Sequence, residues 1–352
     1  MLTFCTLFDS NYLDKGLVLY ESMTKVMENF KLYILAMDEK CEEILKSMNL
    51  SNIIVISLKE FEDDELLEIK TKRARAEYCW TCTASLIDYV LKNYNETYCT
   101  YVDSDLYFYE NPQILIEEMD KSGCSVQIVE HGFGNGIIAK KKEKNAGKYC
   151  VQFNTFKSTP DSLAILKTWK EQTRNHCSME VGEMGDQKYL TDWAEKYEKV
   201  HVLQHSGGGV APWNIGCYKP AEEDAKKIYL LDKKTGKRFE LIFYHFHHLE
   251  YFDERYVNIN VFKTSVGIDE NLVHKIYIPY LRHLEKVKKT LLKEYGFQPM
   301  IKKHPGVIAK SRSEKIKELR NLDITEFIYK ISDKVSYSLG KEKDIIDLEK
   351  YL

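Results

Sequence analysis

The sequence predicts an α/β fold with an open sheet flanked by helices, followed by a helical C-terminal extension. Short apolar runs alternate with amphipathic stretches through the first half of the chain, which is typical of an open α/β sheet with parallel strands. From about residue 268 the chain becomes charged and helix-like. With 352 residues, 44% of them apolar, it can form one large domain and an appendage. We therefore expect an α/β domain over 1–265 and a helical extension over 266–352.

The individual elements follow from the spacing of apolar residues. Short apolar runs predict strands over 2–8, 31–36, 52–57, 98–102 and 241–246. A spacing near 3.6 predicts helices over 16–27, 38–48, 83–93 and 162–176. Between 123 and 156 we expect short strands and a basic loop over 140–148. Beyond residue 268 we expect helices over 271–295, over 311–319 and from 324 to the end.

Charge and cysteine usage narrow the class of protein. Lys and Arg number 51 against 54 Asp and Glu, so the chain lacks the basic excess of a general nucleic-acid binder. Nine scattered cysteines, an odd number, indicate free thiols in a reducing compartment. The first residues lack the features of a signal peptide, and no apolar run approaches the length of a membrane span. We therefore expect a cytoplasmic protein.

Two aspartates follow the apolar run at 98–102. Asp103 and Asp105 are two residues apart, and residues so spaced in extended chain point to the same side. Together they can bind one Mg²⁺ or Mn²⁺ ion. Such an ion could neutralise the charge that builds on a departing diphosphate. The alternative is a solvated turn or a helix cap, which is the commoner role for an isolated pair of this kind.

Three histidines lie at the end of the last predicted strand. His245 and His247 share a side by strand alternation, and either could complete a site formed by the two aspartates. An independent zinc site would need His248 as well, because catalytic zinc sites use three protein ligands. The third interpretation is a histidine cluster in the core or at the surface.

A glycine-rich loop over 206–214 ends in an aromatic residue. Its backbone amides could bind phosphate or sugar oxygens, while Trp213 could stack on a sugar ring and Asn214 could bond a hydroxyl. The alternative is a plain turn.

Taken in order, these segments resemble a known family over roughly residues 1–250. From the N-terminus they are the first strand with Thr6 and Phe8, Asp103-Ser104-Asp105, Phe153-Asn154-Thr155, Gly185-Asp186-Gln187 and His245-Phe246. The set resembles the GT-A nucleotide-diphospho-sugar transferases. It is most similar to glycosyltransferase family 8, which includes glycogenin and bacterial lipopolysaccharide galactosyltransferases.

The resemblance implies a fold, an activity and partners. The fold would be a GT-A, Rossmann-like open mixed sheet flanked by helices. The protein would move a sugar from a nucleotide-sugar donor, a UDP-sugar, with Mn²⁺ or Mg²⁺ and with retention of anomeric configuration. The acceptor would be a glycan, a lipid-linked molecule or a protein, in bacterial surface polysaccharide synthesis.

The resemblance also implies roles for particular residues. The metal ligands would be Asp103, Asp105 and His245. The residues lining the donor sugar and acceptor would be Asn154, Asp186 and Gln187. Thr6, Phe8 and Asp9 would lie near the nucleoside. To these candidate donor-binding residues we add Ser104, between the two aspartates, and Trp213 and Asn214 of the glycine-rich loop.

The sequence departs from the family at the residues that bind the diphosphate. The family continues after its late histidine with a glycine and a Lys-Pro pair, whose lysine grips the diphosphate. Here His248, Leu249 and Glu250 follow instead. The family often has an arginine on the helix before the aspartates, whereas this chain has Arg73 and Arg75 slightly earlier. The chain therefore resembles a divergent branch, or a relative outside family 8 proper, and its diphosphate-binding residue stays open.

The sequence leaves several alternatives to weigh. A retaining mechanism with an enzyme-bound intermediate would use Asp186, whereas a front-face mechanism needs no such carboxylate. A sugar nucleotidyltransferase usually has a glycine-rich loop after the first strand, and 8–12 contains no glycine. A non-catalytic binding module would lack a metal ligand, and none is absent. The C-terminal helices could pack on the core, dimerise or contact an anionic membrane at its inner face.

Overall fold

The structure of the protein, a computed structural model, describes residues 1–180, 183–223, 227–262, 268–299 and 344–351. Its strands in chain order are β1 (Leu2–Phe8), β2 (Phe30–Ala36), β3 (Ile53–Ser57), β4 (Tyr98–Val102), β5 (Leu106–Phe108), β6 (Val126–Glu130), β7 (Tyr149–Lys157), β8 (Val200–Val202), β9 (Tyr218–Glu223), β10 (Ile228–Asp232), β11 (Arg238–Glu240), β12 (Phe243–His245), β13 (Glu250–Tyr251), β14 (Tyr256–Asn258) and β15 (Ile345–Asp347). Its α-helices are α1 (Leu13–Val26), α2 (Glu39–Met48), α3 (Leu58–Phe61), α4 (Asp64–Lys70), α5 (Arg75–Asn93), α6 (Gln113–Ser122), α7 (Ile137–Ala146), α8 (Pro160–Asn175), α9 (Trp193–Lys196) and α10 (Glu270–Tyr295).

The centre of the fold is a seven-stranded mixed sheet with the order β3-β2-β1-β4-β7-β6-β8. β1 pairs in parallel with β2 and β4, whereas β7 runs antiparallel to both β4 and β6. The predicted open mixed sheet flanked by helices is therefore confirmed. Because β1 and β4 are parallel neighbours, the residues that follow each of them meet at one edge of the sheet.

The two faces of the sheet carry separate hydrophobic layers. Phe4 and Phe8 of β1 pack in one layer, whereas Cys5 and Leu7 pack in the other. This alternation follows from the two-residue period of a strand. Helices α1 and α10 contribute to the first layer, and α5 and α8 to the second. A strand covered on both faces is apolar at nearly every position, and in the first predicted strand only two threonines interrupt the apolar residues.

Some local predictions differ from the structure. The basic segment over 140–148 was expected to be a loop, but most of it belongs to α7, a helix with a weak apolar face. The helix expected over 83–93 begins earlier, at Arg75, where the Glu77 carboxylate accepts a hydrogen bond of 3.0 Å from the Ala74 amide. The strand expected over 241–246 is limited to β12, which pairs with the short strand β5.

The C-terminal region contains a long helix and a returning strand. α10 confirms the helix expected over 271–295, and Asp269 caps it by accepting from the Leu272 amide at 3.0 Å. The helix expected from 324 to the end is wrong at β15, because those residues pair antiparallel with β14. The helix expected over 311–319 lies outside the described residues. In the described part of the chain, no helix has both the length and the apolar character needed to cross a membrane.

Candidate metal and donor site

The two aspartates lie at the carboxyl end of β4, in a tight turn that leads into β5. The Asp103 amide donates to the Gln152 carbonyl at 3.2 Å, and the Asp103 carbonyl accepts from the Leu106 amide at 3.2 Å. β5 then pairs antiparallel with β12, which places His245 opposite Leu106. The turn and this strand pairing bring the late histidine to the two carboxylates.

The predicted metal ligands are close together. His245 Nε2 lies 3.0 Å from Asp105 Oδ1 and 3.7 Å from Asp103 Oδ2. His247 joins them, because the ligand atoms of Asp105, His245 and His247 all lie within 4.8 Å of one another. The arrangement therefore offers carboxylate oxygens and two imidazole nitrogens to one cation.

Gln152 orients the His245 ring, and the sequence analysis did not single it out. His245 Nδ1 donates to Gln152 Oε1 at 2.8 Å, which leaves Nε2 on the side of the carboxylates. Metal-binding histidines usually donate their second nitrogen in this way. Gln152 precedes the predicted Asn154 by two residues on the same strand, and this spacing is the signal that could have identified it.

The electrostatics of the site suit a cation. Burial and, to a smaller extent, the nearby Asp105 and Asp186 carboxylates raise the pKa of Asp103 to about 7 against the lowering effect of His245. Burial also disfavours the ionised form of Asp105, but the His245 ring outweighs it and lowers the pKa of that carboxyl. Burial lowers the pKa of His245, and Asp105 and Asp103 raise it by more. Converging carboxylates of this kind are stabilised by a bound cation.

A second histidine and a tryptophan enclose the site. Burial lowers the pKa of His247 well below its usual range, so its imidazole is neutral and able to bind a metal. The Trp213 ring centre lies 5.3 Å from that of His245 and 5.4 Å from that of His247. Trp213 Nε1 donates to the carbonyl of His131, a buried residue directly after β6, at 2.7 Å. His131 was another residue that the sequence analysis missed.

Several buried polar groups near the carboxylates have no hydrogen-bond partner among the described residues. They are both side-chain amide atoms of Asn154, Asp186 Oδ2, Gln152 Nε2 and Thr6 Oγ1. Asn154 is paired in register with Tyr101, whose hydroxyl donates to Asp103 at 3.1 Å. Since buried polar groups in proteins are nearly always hydrogen-bonded, these atoms can serve a polar ligand.

Asp186 is held rigidly beside this polar region. Trp169 Nε1 donates to its carbonyl at 3.0 Å, and its charge interacts with that of Asp103. Burial raises its pKa to about 7, although a hydrogen bond with Thr83 opposes this. The preceding Gly185 has a φ of +55°, and a Cβ there would lie 2.7 Å from the Trp80 ring, so only glycine fits. The side chain of Gln187 donates to the Ala146 carbonyl at 2.8 Å.

The residues predicted to bind the nucleoside lie along and just beyond β1. Thr6 and Phe8 are buried in that strand. Asp9 follows it, and its carboxylate forms an ion pair of 2.5 Å with Arg75, which also pairs with Asp38 at 2.9 Å. Ser104 lies between the two aspartates and is nearly buried, at 9% exposure. All of these residues therefore lie at the carboxyl ends of β1 and β4.

The glycine-rich loop packs tightly against its neighbours. A Cβ on Gly207 would collide with the Glu240 carbonyl oxygen, and the Gly207 amide donates to His205 Nδ1 at 3.2 Å. The Asn214 side chain donates to the carbonyls of His131 and Gly209, both at 2.8 Å, and accepts from the Ala211 amide. Asn214 therefore holds the loop in the shape that places Trp213 beside the histidines.

Two proteins of Bacillus subtilis (strain 168) are similar in sequence over most of the chain. YfnD, described as an uncharacterized protein, is 26% identical over 288 residues, covering 80% of this chain and 88% of YfnD. YfnF, also described as an uncharacterized protein, is 28% identical over 303 residues, covering 83% of this chain and 96% of YfnF. No family model matches the sequence. The chain thus corresponds to nearly the full length of both relatives.

Solved structures that resemble part of the chain include glycosyltransferases. Apo mouse xyloside xylosyltransferase 1 has a TM-score of 0.40 and 16% identity, covering 57% of this chain and 84% of that one. An active-site mutant of LgtC has a TM-score of 0.43 and 12% identity, covering 71% and 88%. The glycosyltransferase GlyE of Streptococcus pneumoniae TIGR4 has a TM-score of 0.39 and 15% identity, covering 58% and 46%. These similarities are partial in extent and low in identity.

Proposed function

We propose that the protein is a metal-dependent glycosyltransferase that moves a sugar from a nucleotide-sugar donor to an acceptor. The observation that supports this function best is the meeting of Asp103, Asp105 and His245 at the carboxyl end of β4. Ligands of open α/β sheets bind at this edge. The buried Asn154 and Asp186 beside it offer unpaired polar atoms to a sugar.

The donor atoms suit a divalent metal ion. Asp103 and Asp105 would supply oxygens, and His245 and His247 would supply nitrogens. Mixed oxygen and nitrogen ligands suit Mn²⁺ better than Mg²⁺, which strongly prefers oxygen. When bound, the ion would neutralise charge on the diphosphate of a nucleotide sugar. A UDP-sugar is the donor that we propose, following the family resemblance.

The transfer exchanges one bond at the anomeric carbon of the donor sugar. The bond to the diphosphate oxygen breaks, and the nucleoside diphosphate leaves with the electron pair. The acceptor hydroxyl oxygen forms the new bond, and its proton passes to the departing diphosphate or to a carboxylate. We propose that the configuration is retained and that Asp186 lies beside the anomeric carbon. Asn154 would bond the sugar hydroxyls, and Gln187 would line the acceptor.

A ligand panel tests this function. Melting of the protein is measured with Mn²⁺ and each of UDP, GDP, dTDP, CDP and ADP, and calorimetry then gives the affinity of the best ligand with and without Mn²⁺. We expect one diphosphate to bind only with the metal. Asp105→Asn should weaken that binding at least roughly tenfold, because a charge-assisted metal ligand is lost. The control is Asp161→Asn, an exposed aspartate on α8.

Further variants and outcomes complete this test. His245→Ala should abolish metal-dependent turnover, whereas His247→Ala should weaken it less, because Gln152 orients His245 alone. If the diphosphate binds with equal affinity in the presence and absence of Mn²⁺, the proposed metal site is contradicted. Metal-dependent binding without transfer from the matching nucleotide sugar to any glycan, lipid-linked or protein acceptor would favour a binding module.

We also propose a cytoplasmic location, at the inner face of the membrane, and a role in bacterial surface polysaccharide synthesis. The motivation is a basic face on α10 formed by the exposed residues Lys275, Arg282, Lys286, Lys289 and Lys293. Their spacing places them along one side of the helix. Flotation with phosphatidylserine vesicles should recover the protein at low salt, and equal recovery with neutral phosphatidylcholine vesicles would contradict the proposal.

A further inference from the structure

Lys15 lies at the same edge of the sheet as the metal ligands. It belongs to the first turn of α1, which follows β1 after a short 3-10 turn over Ser10–Tyr12. β1 is the parallel neighbour of β4, the strand that ends at Asp103. The start of α1 therefore faces the turn that carries the two aspartates.

The charged groups around Lys15 are acidic. Its ammonium interacts electrostatically with Asp14, Asp105 and Glu250. In the part of the chain that the structure describes, its close contact is with an aromatic ring, because Nζ lies 3.9 Å from the ring centre of Tyr12. Arg75, by contrast, is already paired with Asp9 and Asp38. Among the described residues, Lys15 is thus a positive charge that lies beside the metal ligands and forms no ion pair.

A bound metal ion would not balance all the negative charge in the occupied site. A divalent ion balances the charges of Asp103 and Asp105, but a nucleoside diphosphate brings additional negative charge into the site. The five residues that follow His245, from Phe246 to Glu250, include no lysine or arginine. A lysine is a compact point charge that binds phosphate well.

We propose that Lys15 binds the diphosphate of the donor and stabilises it as it departs. The Tyr12 ring would hold the ammonium in place through a cation–π contact, while the half-buried side chain stays within reach of a ligand. Asp105 would hold the metal ion, and Lys15 would supply a positive charge to the diphosphate oxygens. This assignment rests on the proposed function and names the basic residue that the departures from family 8 leave open.

The charge state of Lys15 agrees with this role. Burial lowers its pKa, but the surrounding Tyr12, Asp14 and Asp105 raise it by more. The ammonium is therefore fully charged at neutral pH, where the diphosphate is negative.

The test compares two lysines of one helix. Lys15→Gln removes the proposed contact, and Lys25→Gln removes the same charge ten residues along α1, about 15 Å away by the rise of a helix. Calorimetry measures the binding of UDP and uridine with Mn²⁺, or of whichever diphosphate and nucleoside the panel selects. We expect Lys15→Gln to weaken UDP binding about tenfold, the loss typical of one charged hydrogen bond, and to leave uridine binding unchanged. Lys15→Arg should recover part of the affinity, and Lys25→Gln should match the wild type.

Each outcome has a distinct meaning. If the wild type binds no diphosphate with Mn²⁺, the proposed function fails. If the wild type binds UDP and Lys15→Gln binds it equally well, only the role of Lys15 is overturned. Circular dichroism first checks that Lys15→Gln is folded, and if it is not, the comparison of Lys15→Arg with the wild type takes its place. For a folded variant, the binding of Mn²⁺ alone is monitored by electron paramagnetic resonance. A loss of Mn²⁺ affinity as large as the loss of UDP affinity would show that Lys15 supports the metal ligands and would overturn the proposal.

Discussion

At the scale of single residues, Asp186 combines deep burial with an unpaired carboxylate oxygen. It is 4% exposed, and its Oδ2 has no partner among the described residues. A buried carboxylate of this kind costs stability whenever it must ionise. Residues that reduce stability in this way are commonly found at functional sites, where the charge is needed for activity.

We therefore predict opposite effects of Asp186→Asn on activity and on stability. Turnover should fall at least roughly tenfold, since each ~1.4 kcal/mol of transition-state stabilisation is worth about a factor of ten. Melting temperature should rise at pH 8, because the wild type must then ionise a buried carboxyl whose pKa burial has raised to about 7. Turnover and melting are measured on the same preparation.

The raised pKa of Asp186 determines how the stability of the folded protein changes with pH. The pKa of Asp186 is 3.8 when unperturbed and about 7 in the folded protein, so the folded state binds more protons between these values. Stability therefore falls as the pH rises through this window. The difference in melting temperature between the wild type and Asp186→Asn should vanish near pH 3.8 and be largest at pH 8. A variant that is destabilised yet fully active would assign Asp186 a structural role.

At the scale of elements, Glu96 joins the first two strands to the start of β4. Its carboxylate accepts from the Thr3 hydroxyl at 3.0 Å, from Lys31 at 2.7 Å and from the Tyr33 hydroxyl at 2.8 Å. Burial raises its pKa, and these three donors lower it by more. Glu96 thereby stabilises the order in which β2, β1 and β4 lie side by side.

Glu96→Gln should lower the free energy of unfolding by about 1–3 kcal/mol, the cost of losing hydrogen bonds to a charged acceptor. Because the folded pKa is lowered, this contribution is complete above the usual pKa of 4.5 and is lost as the pH falls through the folded value. Urea unfolding at pH 7 and pH 3 measures both effects. Glu43→Gln, which breaks an exposed pair with Lys40, should change stability by less than about 0.5 kcal/mol. Equal effects of the two variants at pH 7 would contradict this account.

At the scale of the whole molecule, α10 packs against the segment that carries the candidate metal-binding histidines. The Tyr244 and Tyr277 hydroxyls lie 3.1 Å apart in the core, and the Phe246 and Tyr280 rings stack with their centres 3.6 Å apart. His245 lies between Tyr244 and Phe246 in the chain. The C-terminal helix therefore contributes packing on both sides of a candidate metal ligand.

Tyr277→Ala should consequently affect stability and metal binding together. Removing a fully buried aromatic ring costs about 3–5 kcal/mol, and the Tyr244 hydroxyl loses its partner. We expect a lower melting temperature and weaker Mn²⁺ affinity. The control is Leu292→Ala on the same helix, where the side chain is 53% exposed. Unchanged Mn²⁺ affinity in a destabilised Tyr277→Ala would show that α10 stabilises the fold independently of the metal ligands.

Much of the candidate site could be predicted because its signals are local. Asp103 and Asp105 follow a largely apolar strand, and His245 and His247 alternate at the end of another, so their common sides follow from strand geometry. His131 and Lys15 gave no such signal, and Gln152 gave only its two-residue spacing from Asn154 on one strand. Each is an ordinary polar residue in its own segment, and it gains a role only from a neighbour distant in sequence.

The sequence by itself determined where the main strands lie and which acidic and histidine residues are available. Strands β1 and β4 have the predicted bounds, because a strand buried on both faces is largely apolar along its length. Only the tertiary structure decided that β7 runs antiparallel beside β4, that the segment 140–148 is largely helical and that β15 returns to pair with β14. Strand direction and pairing depend on hydrogen bonds between segments far apart in the chain. The apolar pattern of one segment indicates that the segment is buried, but it does not indicate which other strand or helix packs against it.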